Sequence, residues 1–381
     1  MNEILFFGQN QLPKLIKNEP DKIKKPIQFK FENENENENE NEKQIKQIST
    51  ASYSIIFLFK NGKAIEYLNE NNSNQKIQIE NIQKVAAGYL NIVVLTKEGN
   101  VFARGEDINP ENSKEFINIS SLIEDKNDRI IQDIVSGYKS LYLLTSNQNA
   151  YGIGSNEYGQ LGLDPETLQK TEKPILIMKN VSKIFSGNTS DSVFLLNSNQ
   201  ELFGCGDNQY GQLGLGESRK EEKIQKLTKI QNIPKGKIID IQCGGFHSIM
   251  LIENENENEN PKRKLYSCGD WEYNGLGRFR YTYEFTEIKL SLFENDDIIL
   301  DFSVGNDHTL ILTSKAKLIG FGDNFYGQLG TEDANNQLIP IQIELPKLRF
   351  NEEIFNYHIL CKNERSFLYY SPPPFPILKK I

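Results

Sequence analysis

Residues 206–216 read GDNQYGQLGLG, and the fold turns on whether this stretch is a ligand loop or a repeated turn. A phosphate-cradling loop places Lys and Ser or Thr after its last Gly, or stands between a strand and a helix whose N-terminus faces the anion. Here Gly211 is followed by Gln212 and Leu213, and the next apolar segment is strand-like. The pattern recurs as GSNEYGQLG from Gly154, GDWEYNGLG from Gly269 and GDNFYGQLG from Gly322. Four copies in phase, about 50 residues apart with one longer interval, describe a repeat protein. Gly154, Gly159, Gly162, Gly206, Gly211, Gly214, Gly269, Gly277, Gly322, Gly327 and Gly330 are therefore expected to be structural turn positions that need positive φ, with Asn274 as the one tolerated replacement. Tyr158, Tyr210, Tyr273 and Tyr326 share a phase, as do Leu161, Leu213, Leu276 and Leu329, which predicts that each turn is pinned to its own sheet.

Reading backwards from each turn gives the repeating unit. KIFSG, SVFLL and ELFGCG precede Gly206, and LDFSVG, TLILT and KLIGFG precede Gly322. Each is a short apolar or alternating run ending near Gly, the sequence form of a short strand. A fourth run follows the turn, as in KPILI (173–177) and IPIQI (339–343). Degenerate copies extend the series towards the N-terminus, with KIQI (76–79) and FINIS (116–120) as fourth strands. Six units are complete; NYHILC and SFLYY (356–370) supply two strands of a seventh, and EILFFG (3–8) and KPIQF (25–29) the other two. The expectation is an all-β, seven-bladed β-propeller of four-stranded blades, with the closing blade shared by the N- and C-terminal strands. One domain covers 1–370, and 371–381 is a Pro-rich tail. The Glu-Asn tracts read as low-complexity loop inserts at 31–43 and 253–264, since they hold too little apolar surface to order themselves.

The net charge of −9 argues against a nucleic-acid partner, which calls for clustered Lys and Arg. No apolar run approaches the roughly 20 residues that cross a bilayer, and ILFF is too short for a signal core, so a cytoplasmic or nuclear protein without membrane contact is expected. Cys205, Cys243, Cys268 and Cys361 are too dispersed for a metal site and read as buried, reduced thiols. PKRK (261–264) reads as a balance to the preceding glutamates.

Two units add GFHS and GNDHT ahead of the second strand. With these elements in phase with the turns, residues 3–370 resemble the regulator of chromosome condensation repeat family, marked by G-x-x-H-[ST] and G-[DSN]-N-x-x-G-Q-L-G. The paired glycines of Kelch blades and the Trp-Asp of WD blades do not recur. The resemblance implies nucleotide exchange on the Ran small GTPase and chromatin binding, with acidic and His residues of the G-x-x-H loops facing the GTPase. The matching residues here are Asp307 and His308, and His247; Ser54, Asn91, Ser140 and Arg365 stand at the His position of other loops. No basic N-terminal tail is present, and Trp271 alone does not make the tryptophan cluster of the family's photoreceptor member.

The residues also carry a plainer account. His247 and His308 each stand at a strand start beside Gly, where a ring nitrogen can satisfy backbone groups, and His358 reads as a packed core histidine. The pair Asp296–Asp297 reads as solvated loop charge. No H-E-x-x-H, G-x-S-x-G or Cys–His constellation is visible, so no enzyme, cofactor or metal is expected. The expected function is a non-catalytic protein–protein interaction scaffold, monomeric, with exchange on a small GTPase as the alternative and Asp307, His308 and His247 as candidate partner contacts.

Overall fold

The computed structural model describes residues 4–9, 20–29, 44–68, 74–217, 221–254, 262–270, 275–278, 280–293, 297–345 and 356–371. They form seven four-stranded antiparallel sheets, numbered here as blades 1 to 7. Blade 1 runs Ile45–Thr50, Ser54–Phe59, Ala64–Leu68, Asn74–Lys76, and blade 2 runs Ile82–Ala87, Asn91–Thr96, Val101–Gly105, Ile117–Asn118. Blade 3 runs Ile131–Ser136, Ser140–Thr145, Ala150–Ser155, Lys170–Met178, and blade 4 runs Val181–Phe185, Ser192–Asn197, Leu202–Asp207, Lys223–Lys229. Blade 5 runs Lys237–Cys243, His247–Asn254, Lys262–Gly269, Thr282–Glu287, and blade 6 runs Ile299–Val304, His308–Thr313, Leu318–Gly322, Gln337–Ile343. Blade 7 has the order Tyr357–Lys362, Arg365–Tyr370, Ile4–Gln9, Lys22–Phe29, so both chain ends build it.

The sequence pattern of each strand follows from its place. Second strands such as SIIFLF and SLYLLT are buried along their whole length because blades cover both their faces. First strands alternate, as in the pattern of Ile131–Ser136, because one face meets a blade and the other the central channel. Outer strands such as Lys223–Lys229 are mostly exposed. In blade 7 Ile4 lies opposite Tyr369 and Gly8 opposite Arg365, while the Phe6 and Phe367 rings pack with centroids 5.1 Å apart.

Several elements differ from expectation. The fourth strand of blade 1 is Asn74–Lys76, not 76–79, because Ile77 turns inward to bury itself in the seam. In blade 2 pairing shrinks to Ile117–Asn118, and the chain then coils into a short 3-10 turn at Ser120–Leu122. The hairpin of blade 5 runs into its acidic tract: Glu253 pairs with Arg263, and Asn254 with Lys262, along the ladder. Arg263 Nε also bonds Glu253 Oε2 at 2.8 Å, so one residue of the basic run opposes one of the acidic tract as a cross-strand charge pair. Asp297 is not solvated: its side chain is fully buried, accepting from Ser314 Oγ and Lys315 N at 3.1 and 3.2 Å. Asn274, Trp271, Tyr273, Asp296, residues 31–43, residues 255–261 of the second insert and the tail after 371 lie outside the described residues.

The GDN turns join blades. Within each, two side chains brace the backbone: Asn208 Oδ1 accepts from Leu213 N at 3.1 Å, and Gln212 Oε1 from Tyr210 N at 2.9 Å. Asn156 with Gln160, and Asn324 with Gln328, repeat both bonds. Outwardly, each turn lies on the outer strand of the following blade. A methyl added at Gly159 would sit 2.6 Å from Gln225 Cα, at Gly211 3.1 Å from Tyr283 Cα, and at Gly327 2.7 Å from Lys24 Cα. The carbonyls of Gln212 and Gln328 accept from Ser248 Oγ and Ser366 Oγ, again one blade on, at 2.8 and 2.7 Å. The aromatics point the same way, since Tyr210 packs on Phe246 at 5.1 Å and Lys223 Nζ sits 4.8 Å from the Tyr158 centroid. Each turn thus pins its own blade to the next one as well as to its own sheet, where Leu161, Leu213 and Leu329 would lie 2.7, 3.1 and 3.2 Å from a methyl added at Gly152, Gly204 and Gly320. The conserved spacing serves two partners at once: Leu161, Leu213, Leu276 and Leu329 are buried, and the glycines let two backbones touch.

Candidate partner-binding face

The G-x-x-H elements are tight loops between first and second strands, gathered at one mouth of the channel. Each closes on itself through a backbone bond, with Gly305 N donating to His308 O and Gly244 N to His247 O, both at 2.8 Å. Blades 1 to 3 close the same way, through Ala51 N to Ser54 O, Gly88 N to Asn91 O and Gly137 N to Ser140 O. The loops are then stitched to one another. Ser52 N donates to Tyr89 O, Tyr89 N to Tyr138 O and Tyr138 N to Ser190 O; on the other side Gly245 N donates to Asn306 O and Asn306 N to Asn363 O. Asn188 Nδ2 donates to Thr50 O at 3.2 Å, joining blades 4 and 1 across the axis and closing the channel at this mouth.

Why the motif contains Gly and His is visible in the space they share. A methyl on Gly305 would lie 2.2 Å from His308 Cε1, and one on Gly244 2.3 Å from His247 Cε1, so the imidazole occupies the volume the Gly vacates. Both rings are buried, and burial pushes His247 down to about 4 and His308 to about 3. His308 Nε2 lies 2.9 Å from Ser366 Oγ, whose own hydrogen goes to Gln328 O, so Nε2 carries the hydrogen and donates. His308 is thereby a tie between blades 6 and 7. Arg365, at the same place in blade 7, is buried as well and reaches Gln9 O through Nε at 3.3 Å, tying the C-terminal strand to the N-terminal one. Neither imidazole reaches the surface of this face, and of the three expected contacts only Asp307 does.

Asp307 belongs to a set of carboxylates that the sequence pattern hid. The residue after the third-strand Gly donates its N–H to the carbonyl of the residue before the His position: Asp323 N to Asp307 O, Asp207 N to Asp191 O and Asp270 N to Phe246 O. That bond brings Asp323 beside Asp307, and Asp207 beside Asp191. Burial, then Asp323, Glu364 and Asp270, push Asp307 up to about 7. Asp191 is likewise raised to about 7, by burial first and Asp207 second. Burial also raises Glu364 and Asp207. Blades 4 to 7 therefore present an acidic arc. The other side of the face is aromatic and basic: Tyr89 and Tyr138 stack at 4.5 Å, Tyr53 is half exposed, and Lys139 stands at the position of Asp191 and Asp307. The signal missed in sequence was the Gly-Asp pair at 206–207, 269–270 and 322–323, read as a turn former alone.

Crowding of this kind has a measurable sign. Asp307 binds its proton more tightly folded than unfolded, so its contribution to stability falls as pH rises from its ordinary value of 3.8 towards 7. Asp307→Asn is expected to be more stable than the parent chain by roughly 1–3 kcal/mol at pH 8, after allowance for solvent screening, and to lose that advantage near pH 4. Urea midpoints measured across this range check it; an advantage independent of pH would place the effect elsewhere.

The opposite mouth is built differently. In blades 1 to 6 the first strand shifts register after its opening residue, between Ile45 and Gln47, Ile82 and Lys84, Ile131 and Asp133, Val181 and Lys183, Ile238 and Asp240, and Ile299 and Asp301. Such bulges re-aim a side chain, and all six residues after the shift line the channel. Lys84 Nζ pairs with Asp133 Oδ1 at 2.5 Å. His358, expected in the core, completes this ring instead, nearly half exposed and 3.7 Å from Asp301 Oδ2, because its strand position is the channel-facing one. Among the described residues no group of three or more His, Cys, Asp or Glu is placed to hold a metal, and the four cysteines are separate and buried.

Comparison with known proteins agrees with this architecture. Models of the regulator of chromosome condensation (RCC1) repeat match residues 199–251 and 299–328. The human probable E3 ubiquitin-protein ligase HERC4 is 26% identical over 276 residues, covering 68% of this chain and 25% of the relative. The Arabidopsis thaliana ultraviolet-B receptor UVR8 is 26% identical over 216 residues, covering 57% of this chain and 46% of the receptor. The chain thus spans a quarter of the HERC4 length. Among solved structures, Prp20p from Saccharomyces cerevisiae superposes with a TM-score of 0.77 at 16% identity, covering 98% of this chain and 92% of its own. Human WBSCR16 gives 0.75 at 16% identity, covering 97% and 99%.

Proposed function

Taking the chain as a seven-bladed propeller of the RCC1 repeat family, we propose that it is a protein-interaction scaffold whose G-x-x-H loop face docks a basic protein surface. The acidic arc of Asp191, Asp207, Asp270, Asp307, Asp323 and Glu364 carries this reading. Burying mutually repelling carboxylates costs stability, and Asp191 and Asp307 are both driven towards protonation. A cationic partner would offset that cost and gain steering at long range. Among the described residues of this face no nucleophile stands beside a base, since both imidazoles are buried and His308 is committed to Ser366. Prp20p, studied for its binding to Gsp1p and histones, is a neighbour in fold whose partners are also proteins.

Capture from extract on the immobilised chain tests the proposal. Proteins retained by the parent chain are expected to be lost, at least tenfold, in an Asp191→Lys, Asp323→Lys double variant and at raised salt. Retention unchanged by both would sink it. Exchange on a small GTPase is the second reading, favoured by the Asp307–His308 pair in its family loop. It requires accelerated nucleotide release from at least one small GTPase, disappearing in Asp307→Ala.

A further inference from the structure

Seven chain segments reach the closed end of the channel at equivalent positions, and six of them are small: Ala51, Gly88, Gly137, Gly187, Gly244 and Gly305. The seventh is Lys362. Its strand ends in the hairpin Lys362–Arg365, which takes the place of G-x-x-H, so a lysine stands where the other blades leave room. The side chain lines the channel cavity of about 440 Å³, together with Val135, Phe185, Leu360, Gln242 and Ser303. That cavity is shut behind Lys362 by the stitched loops and Asn188, and its far rim is the bulge-aimed ring of charges.

The amine has no counter-charge at bonding distance. Among the described residues Lys362 Nζ makes no hydrogen bond or ion pair, although Asp240 acts on its charge. Asp240 is held elsewhere, accepting from Gln242 Nε2 and Ile241 N, both at 3.0 Å. Ser303 Oγ is occupied by Cys361 N at 2.8 Å, and Gln242 by Phe302 O and Val304 N. Lys362 is only partly exposed at the closed end of the channel, and burial lowers its affinity for the proton.

We propose that the channel binds a small monocarboxylate with an apolar body, its carboxylate against Lys362 Nζ and its body along Val135, Phe185 and Leu360. One amine matches one negative charge. A phosphate dianion would bring a second charge towards Asp240 and Asp301 with no second free cation at that depth. Val135, Phe185 and Leu360 give such a body apolar surface to bury in a lining that is otherwise largely polar, and an ion without a body gains nothing from them. This site faces the mouth opposite the acidic arc, so its test does not depend on any protein partner.

The test is melting of the full chain with hexanoate, hexanamide or inorganic phosphate added. Hexanoate is expected to raise Tm saturably, by about 3 °C when it exceeds its Kd about a hundredfold, while the amide and phosphate leave it unchanged. Lys362→Met removes the unpaired charge and is expected to fold yet give no response to hexanoate. Should that variant fail to fold, Val135→Trp narrows the channel, keeps the amine, and must also lose the response. A shift produced equally by hexanamide, a shift that survives in either variant, a response to phosphate alone, or no saturable response to hexanoate overturns the proposal.

Discussion

A chain lacking residues 1–29 is expected to lose its cooperative thermal transition, or to melt at least about 10 °C below the parent. The deletion removes Ile4, Leu5, Phe6 and Phe7, none more than 3% exposed, from the cluster that also holds Phe367 and Leu368. Losing even one such side chain costs about 2–5 kcal/mol, against a total of about 5–15 kcal/mol for a folded domain. It also strips the partner from Arg365–Tyr370, leaving an apolar strand edge open to pairing with another molecule. Association on a sizing column should therefore accompany the lost transition. A truncated chain that stayed monomeric and melted like the parent would disprove closure by two strands from each end.

The largest effect of a single substitution is expected at Gly206. Its φ is +110°, and a methyl there would sit 2.1 Å from the Asp191 carbonyl oxygen and 3.0 Å from Ser192 Cα, both backbone. Neither can move without opening the loop of blade 4 or the bond from Asp207 N to Asp191 O. Gly206→Ala is expected to cost roughly 3–5 kcal/mol, the strain of the backbone and the clash together. Gly216→Ala separates the two, since Gly216 has φ +92° but its nearest neighbour would be a side-chain oxygen of Glu284 at 3.2 Å. That variant should cost only the strain, about 1–3 kcal/mol. Urea midpoints of the pair decide it: equal losses would mean that the carbonyl contact contributes nothing.

Gly206 also shows why so much of the fold could be read in the chain. The same contact recurs at Gly8, Gly105, Gly154, Gly269 and Gly322, each of which would place a methyl about 2.4 Å from the carbonyl before the His position. One steric demand repeated around a ring leaves a residue that cannot vary, and such residues are what a repeat shows in sequence. Strand order and closure followed from that phase. The outer strands were less legible because they bury little: Asn74–Lys76 has no apolar residue, and Ile117–Asn118 has only one. The acidic arc stayed hidden for a different reason. Asp323 and Asp307 are neighbours through a bond between a turn and a loop, and each residue alone reads as an ordinary turn former. His358 misled because a first strand has two covered-looking faces, and only the ring's geometry reveals that one of them is an opening. Lys362 was masked by its own exceptionality: a blade without Gly or His at that loop looks like a decayed copy until its position is superposed on the other six.

The turns of blades 3, 4 and 6 lean in one direction, each grasping the blade that follows, and this gives the ring an order in time. Blades 1 to 6 can be laid down as the chain emerges, every new sheet completing the hold offered by the one before. Strand Ile4–Gln9 cannot take part, because its neighbour Arg365–Tyr370 and the turn at Gly327 that rests on Lys24 lie more than three hundred residues downstream. Of the strands of the ring, the earliest in sequence is therefore seated last, and its four apolar residues wait uncovered until the final hairpin arrives.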